Sequence, residues 1–355
     1  MRRTTFFFGI ILFLTFVWGN YFHQGEFLIG NNPLMGDQLK KQNLFIIGGF
    51  RERELFSDVY SVPVTELTGE IKLNWAVLGK IPKELQGHTS VALKDHIFVI
   101  GGLEGFHDNG PLYSSKVFSA EVIEGEIKNW SVACTLPHPL GYHSSVKFGN
   151  RIITSGGQAP YNVSSVYAVA VGEGGKMMGW KVIGQLPKPM RGHASIMVKN
   201  HLFILGGHDD REFFHQVYSA VIEMDGQILG WEDTTPLPSA LVHFGIAEYK
   251  DRIYVFGGQD AGDKLHTEVY SAEAKEATLG KWRRETPFPF PQSRLTVNII
   301  DEMVVATGGG FGWEPPVYSA VLITTIGENG KLKEWKKIGD LPQPTTFHSA
   351  VVYPD

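Results

Sequence analysis

The chain has 355 residues, with ordinary charged (19%) and apolar (43%) fractions and a formal net charge of −5 at pH 7. No lysine–arginine run stands out inside it, which argues against nucleic-acid binding, because neutralising phosphates needs a concentrated basic surface. The 41 glycines and 23 phenylalanines point instead to many tight turns between aromatic-rich strands, and the single cysteine, Cys134, excludes an internal disulfide.

In chain order, the first element is a short basic start, Arg2 and Arg3, followed by an apolar run from Phe6 to Trp18. As a helix that run spans only about 20 Å, short of the roughly 30 Å hydrocarbon core. Residues 1–19 therefore read as a signal peptide, with cleavage near Gly19. An uncleaved signal anchor is the alternative, because Tyr21 and Phe22 extend the apolar stretch. Either way the chain is expected to be exported, extracellular or periplasmic, or anchored with its folded part outside the membrane. Residues 20–42 read as a polar linker and 43–355 as the folded domain.

That domain is governed by a repeat. Glycine pairs close short apolar runs at Gly48-Gly49, Gly101-Gly102, Gly156-Gly157, Gly206-Gly207, Gly257-Gly258 and Gly308-Gly309. Tryptophans keep the same rhythm at Trp75, Trp130, Trp180, Trp231, Trp282 and Trp335, roughly fifty residues apart. Between each pair and its tryptophan stands a Val-Tyr-Ser-Ala-like strand, as at Val217-Tyr218-Ser219-Ala220 and Val317-Tyr318-Ser319-Ala320. A Leu-Pro or Ile-Pro step follows most tryptophans, and a further strand then starts at His88, His143, His193, His243, Leu295 and His348.

Each unit thus reads as a four-stranded sheet, which cannot bury both faces alone and must stack against its neighbours around an axis. The tryptophan is expected to be a buried wedge between sheets, and the glycine pair to allow positive φ where strands crowd together. Six markers of each kind predict an all-β, six-bladed propeller. The first unit lacks the strand before its glycine pair, and the chain supplies one from His348 to Tyr353. That strand is expected to pair beside Leu44–Ile47 and close the ring.

The apolar strands ending in Gly-Gly, the later tryptophan and the fifty-residue period resemble the kelch repeat over residues 43–353. Units with Val-Tyr-Ser-Ala and then Asp225-Gly226, Ile228 and Trp231 are similar to secreted bacterial kelch proteins. The resemblance implies a kelch propeller and leaves the activity open, since that fold hosts adaptors, lectin-like binders, a copper oxidase and a sialic acid mutarotase.

Candidate chemistry lies in the loops after the glycine pairs, which differ most in character and share one face of the propeller. They supply Glu104, His208, Asp209, Arg211, Glu212, Trp313 and Glu314 as candidate ligand-binding residues. Arg294 joins them, because it breaks the histidine pattern of the inner strands and resembles the arginines with which kelch adaptors contact acidic peptides. The expected function is a non-catalytic binding module for a glycan or a protein, with no cofactor and no metal. The repeated histidines read as structural hydrogen bonds, being too widely spaced around a channel to share a metal ion. Tyr142-His143 looks like the copper ligands of galactose oxidase, but His143 is already explained by the repeat. The alternative is a sugar mutarotase or epimerase like the sialic acid enzyme, using an acid–base pair from Glu104, Asp209, Glu212 or Glu314 beside Arg211 or Arg294.

Overall fold

A computed structural model describes residues 42–68, 72–108, 110–223, 226–311 and 314–354. The predicted signal or anchor, and the predicted linker up to residue 41, lie outside the described residues. Six antiparallel sheets stand as blades around one axis. Their innermost strands are Ser349–Tyr353, Thr89–Leu93, Ser144–Phe148, Ala194–Val198, Gly245–Tyr249 and Thr296–Ile300. Each touches the innermost strand of the blade on either side, so the set forms a closed ring.

Closure takes the predicted form. In blade 1 the order outward from the axis is Ser349–Tyr353, Asn43–Arg51, Glu54–Pro63 and Ala76–Lys80. Tyr353 lies opposite Asn43 and Ser349 opposite Ile47, so the last strand of the domain pairs with its first.

The apolar runs before the glycine pairs are continuous because each second strand is buried on both faces. Leu44, Phe45, Ile46 and Ile47 are all at most 2% exposed. Phe45 and Ile47 pack toward blade 2 with Ile97, Val99 and Phe118, whereas Leu44 and Ile46 pack toward blade 6 with Val305 and Val321. Successive side chains therefore serve opposite neighbours. Burying a side chain of this size contributes roughly 2–3 kcal/mol, so neighbouring blades hold each other upright.

The markers do more than fill space. Gly101 and Gly102 have φ of +59° and +106°, and a Cβ would lie 2.9 Å from the His143 ring of the next blade and 2.8 Å from Cβ of His88. The histidine imidazoles are thus laid over the glycine pairs, and they reach across to the preceding blade. His88 Nε2 lies 3.1 Å from the Ile47 carbonyl and 2.8 Å from Ser349 Oγ. His143 Nε2 meets Thr89, His193 Nε2 meets Ser155, and His348 Nε2 meets Thr296 and Thr307. The recurring histidine is a hydrogen-bonded hook between blades.

Two expectations need correction. The hook occupies four blades, not five: the residue aligned with His88 in blade 5 is Phe244, and His243 falls one position earlier, with a different role described below. The tryptophans are partly rather than fully buried, because they cap the outer end of the blade junctions. Trp75, Trp231, Trp282 and Trp335 donate their indole N–H to the carbonyls of Asp340, Gln185, Thr235 and Thr286 in the preceding blade. The long loop of the second unit is itself structured, as an extra hairpin of Leu103–His107 and Gly110–Tyr113.

The junctions without a histidine are tied further out. Between blades 4 and 5, Leu279 N–H donates to Thr234 Oγ1 at 2.7 Å. Between blades 5 and 6, Arg283 donates to the Gly330 carbonyl at 2.7 Å and pairs with the buried Glu285, whose other oxygen accepts from Leu332 N–H.

The hooks make stability depend on pH. Burial holds His88 and His193 down at about 4, and His143 and His348 at about 3. Unfolded imidazoles titrate near 6.5, so below that pH the unfolded chain binds protons that the folded one refuses. Stability is full above about pH 6.5 and falls as the pH drops toward 4, by up to about 1.4 kcal/mol per pH unit for each ring. Urea midpoints measured at pH 7.5 and pH 5 are expected to fall sharply on acidification, and equal midpoints would show that the hooks are not buried neutral. Deleting residues 348–355 is expected to abolish cooperative unfolding, because it uncovers the whole Asn43–Ile47 edge; a truncated protein with unchanged melting would refute the closure.

Candidate functional site

Just before each inner strand, one residue per blade takes a left-handed backbone conformation: Gly87, Tyr142, Gly192, His243, Arg294 and Phe347, with φ between +52° and +62°. Their peptide groups form a circle. The N–H of Tyr142 donates to the carbonyl of Gly87, Gly192 to Tyr142, His243 to Gly192, Arg294 to His243, Phe347 to Arg294 and Gly87 to Phe347, all at 2.7–3.1 Å. The circle surrounds the axis, so the side chains on it decide what the axial opening contains.

Those side chains alternate in size at first. A Cβ on Gly87 would lie 2.6 Å from the Tyr142 ring, and one on Gly192 would lie 2.8 Å from the His243 imidazole. The glycines therefore make room for the large residues that follow them. Tyr142, His243 and Phe347 meet edge to face, with centroids 5.2–5.9 Å apart, and the Arg294 guanidinium stands 5.1 Å over Phe347. Together they line an axial cavity of about 280 Å³ that also holds Ser90, Ser145, Thr296 and Ser349.

On the loop face the same four residues form the floor of a funnel of about 390 Å³. Its wall is apolar at Phe106, Pro111 and Tyr113 from the extra hairpin and at Phe213 from blade 4, and polar at Gln158, Arg191, His208 and Gln259. Gln158, His208 and Gln259 are each the residue directly after a glycine pair, and each bridges to the lead-in of the inner strand of its own blade (Gly141, Arg191 and Val242).

Charge in the funnel is unevenly compensated. Arg191 pairs with Asp210 at 2.5 Å and donates to Asn162. Arg294 donates to Ser293 and to Gln259 Oε1, and Gln259 in turn donates to Asp263 at 2.6 Å. Among the described residues no carboxylate makes an ion pair with Arg294. Burial lowers its guanidinium to about 10, still charged at neutral pH. Burial and the Arg191 charge bring His208 down to about 4. Burial, reinforced by Arg294, holds His243 well below the usual range, and burial pushes the Tyr142 phenol upward. The funnel at pH 7 is thus cationic at its arginines and neutral at its imidazoles and phenol.

Of the eight predicted site residues, the funnel brings together His208 and Arg294. Glu104 instead lines an outer groove of about 650 Å³ with Lys83, Phe106 and Leu112, its carboxylate 3.8 Å from Lys83 Nζ. Asp209 caps its own turn, accepting the N–H groups of Arg211 and Glu212 at 3.0 Å each. Glu212 is exposed and paired with Lys188 at 2.7 Å, and the side chain of Arg211 is exposed on the same turn. Glu314 is exposed, and Trp313 lies outside the described residues. Reading by loop missed Arg191, Gln158, Gln259, Tyr142 and His243. The first three had a usable signal, their fixed offset from a glycine pair or a strand lead-in. Among the described residues no group of three or more His, Cys, Asp or Glu is disposed to hold a metal ion.

Six stacked four-stranded sheets, a shared axis and a ligand-sized funnel at one end define the protein as a six-bladed β-propeller. Its repeats are similar to those of the kelch family. Residues 35–207 match the model of the KLHDC2/KLHL20/DRC7 kelch-repeats domain. The chain is 25% identical to beta-scruin of Limulus polyphemus over 255 residues, which is 72% of this chain and 22% of that protein. It is 26% identical to Kelch-like protein terF of Aspergillus terreus over 143 residues, 38% of this chain and 30% of that one. The matched regions thus span under a third of these curated relatives. The solved structure of YjhT superposes with a TM-score of 0.65 at 11% identity, covering 82% of this chain and 97% of that one, which is a likeness of fold.

The size pairing across the circle can be tested directly. Gly87→Ala combines a strained φ with a collision against Tyr142 and is expected to cost about 1–3 kcal/mol. Tyr142→Gly in the same chain is expected to recover part of that loss. Urea denaturation of the double-mutant cycle reads the coupling, and additive losses would mean that the two sites are independent.

Proposed function

We propose that the protein is an exported binding module that engages a protein partner on its funnel face, with a carboxylate of that partner held at Arg294. One observation carries this reading: a largely buried guanidinium in the funnel floor with no carboxylate partner among the described residues. A buried charge is costly unless it is paired, and the compensation here comes only at one remove, from Asp263 through Gln259. A ligand carboxylate would supply the missing counter-charge through charge-assisted hydrogen bonds. Similarity to the kelch repeats, which serve widely as interaction scaffolds, supports a protein as the partner. The apolar wall supports it further, since Phe106 (59% exposed) and Leu112 (40%) offer the neighbouring hairpin to a ligand wider than the funnel.

Sugar mutarotation is the second reading, favoured by one feature. His208 and Tyr142 are both neutral at pH 7 and both line the funnel with Arg294, so a proton acceptor, a proton donor and an anion clamp share one cavity. The carboxylate pair expected from the loops takes no part in it.

The test compares wild type with Arg294→Gln on a displayed peptide library and on an array of neutral and acidic glycans. Carboxylate-rich peptides are expected to bind wild type and to lose at least about tenfold in affinity in the variant, with melting unchanged. Binding that survives Arg294→Gln would overturn the anion contact. Selective binding of acidic glycans alone would replace the protein partner with a sugar. A wild-type acceleration of anomer exchange, followed by NMR and lost in His208→Gln, would establish the enzyme instead.

A further inference from the structure

Two arginines line the funnel, and they differ in how their charge is met. Around Arg191 the contacts close on themselves. Nη2 pairs with Asp210 Oδ1, Nη1 donates to Asn162 Oδ1 at 3.1 Å, and Asn162 Nδ2 donates to the second Asp210 oxygen at 2.7 Å. Asn162 comes from the loop of blade 3, while Arg191 and Asp210 come from blade 4, so the triad spans a blade junction. Arg191 is mostly buried, its side chain 18% exposed, and Asp210 is held in a left-handed conformation with φ +77°. Both carboxylate oxygens are used, and the Arg191 charge is met where it stands. Around Arg294 there is no such loop, since its compensation passes through the Gln259 amide.

From this contrast we propose that Asp210 determines the charge of the ligand group that the funnel accepts: by occupying Arg191 it leaves Arg294 as the cation open to an anion, and so selects a single carboxylate over a dianionic group. The inference rests on the reading of Arg294 as an anion contact. The second charge of a dianion meets an arginine already neutralised in place, and it also meets the Asp210 carboxylate, which is half exposed and repels it. Attraction between unit charges a few ångströms apart is worth several-fold to many-fold in affinity when water is partly excluded. One carboxylate is therefore enough to decide between the two ligand classes. His208, which faces both arginines, stays neutral near pH 7 and leaves this difference intact.

The experiment titrates the full propeller with propionate, a monoanion, and malonate, a dianion at neutral pH, at low ionic strength. The arginine Nε–H signals are followed by NMR. Wild type is expected to bind propionate at least as well as malonate. Asp210→Asn is expected to tighten malonate by about tenfold or more and to change propionate by less than about twofold. Asp210→Glu is expected to restore the wild-type preference, and Arg191→Gln added to Asp210→Asn to cancel the gain. Asp210→Ser serves the same comparison should the asparagine variant fold poorly. Malonate affinity unmoved by loss of Asp210, or an equal gain for both probes, overturns the role of Asp210 while leaving the anion contact standing. Failure of wild type to bind either probe, or propionate binding that survives Arg294→Gln, overturns the anion contact itself.

Discussion

The circle of six peptide hydrogen bonds around the axis is the constraint from which both the fold and the site follow. Each bond alone contributes about 0.5–1.5 kcal/mol. Their arrangement matters more than their sum, because every bond joins a different pair of blades and all six blades must stand in place together. Only a left-handed residue can turn its N–H toward the preceding blade while its chain enters the inner strand, and the same turn projects its side chain toward the axis. Two of the six positions meet this demand with glycine and four with large or charged residues held at positive φ. Those four form the funnel floor. The chain therefore accepts strain of about 1–2 kcal/mol at each such position, and it does so where a ligand would be read.

Departures from sixfold symmetry follow a pattern. The histidine hooks join blades 6, 1, 2, 3 and 4 through their inner strands, whereas the two junctions of blade 5 use Phe244 and Leu295 there and place their polar ties further out. The lead-ins of blades 5 and 6 carry His243 and Arg294 on the circle, one residue before the position that the hook takes elsewhere. Polar funnel residues come from blades 3 to 6, and the apolar wall comes mainly from the hairpin of blade 2. A repeat that is nearly uniform in its core thus presents an uneven face, with charge on one side and exposed aromatic surface on the other.

The architecture was legible because its markers recur. Six glycine pairs and six tryptophans reveal the blade number, and the missing first strand reveals the closure. The site was less legible, for two physical reasons. In blade 5 the histidine stands one residue earlier than in its neighbours. Across a strand lead-in, one residue separates a side chain tucked between blades from one aimed at the axis, so His243 looked like a hook and is part of the floor. Second, residue type does not show whether hydrogen-bonding capacity is already spent. Asp209 caps its own turn, and Glu104 and Glu212 face lysines on neighbouring segments. Arg294 was recognisable because it broke a pattern; Arg191 broke none, and its signal lay only in its fixed offset, two residues before a hook histidine.

The pairing of Ser349–Tyr353 with Asn43–Arg51 also orders events in time. Five blades draw their strands from one contiguous stretch each and can assemble as the chain emerges during synthesis. Blade 1 cannot, since its innermost strand is made some three hundred residues after its second. Until then Leu44 to Ile47 present an open, wholly apolar edge, the kind of surface that invites association with other chains. The interval between making the first blade and finishing the last is thus the period in which this protein is most exposed to aggregation, and in which a holding chaperone has most to do.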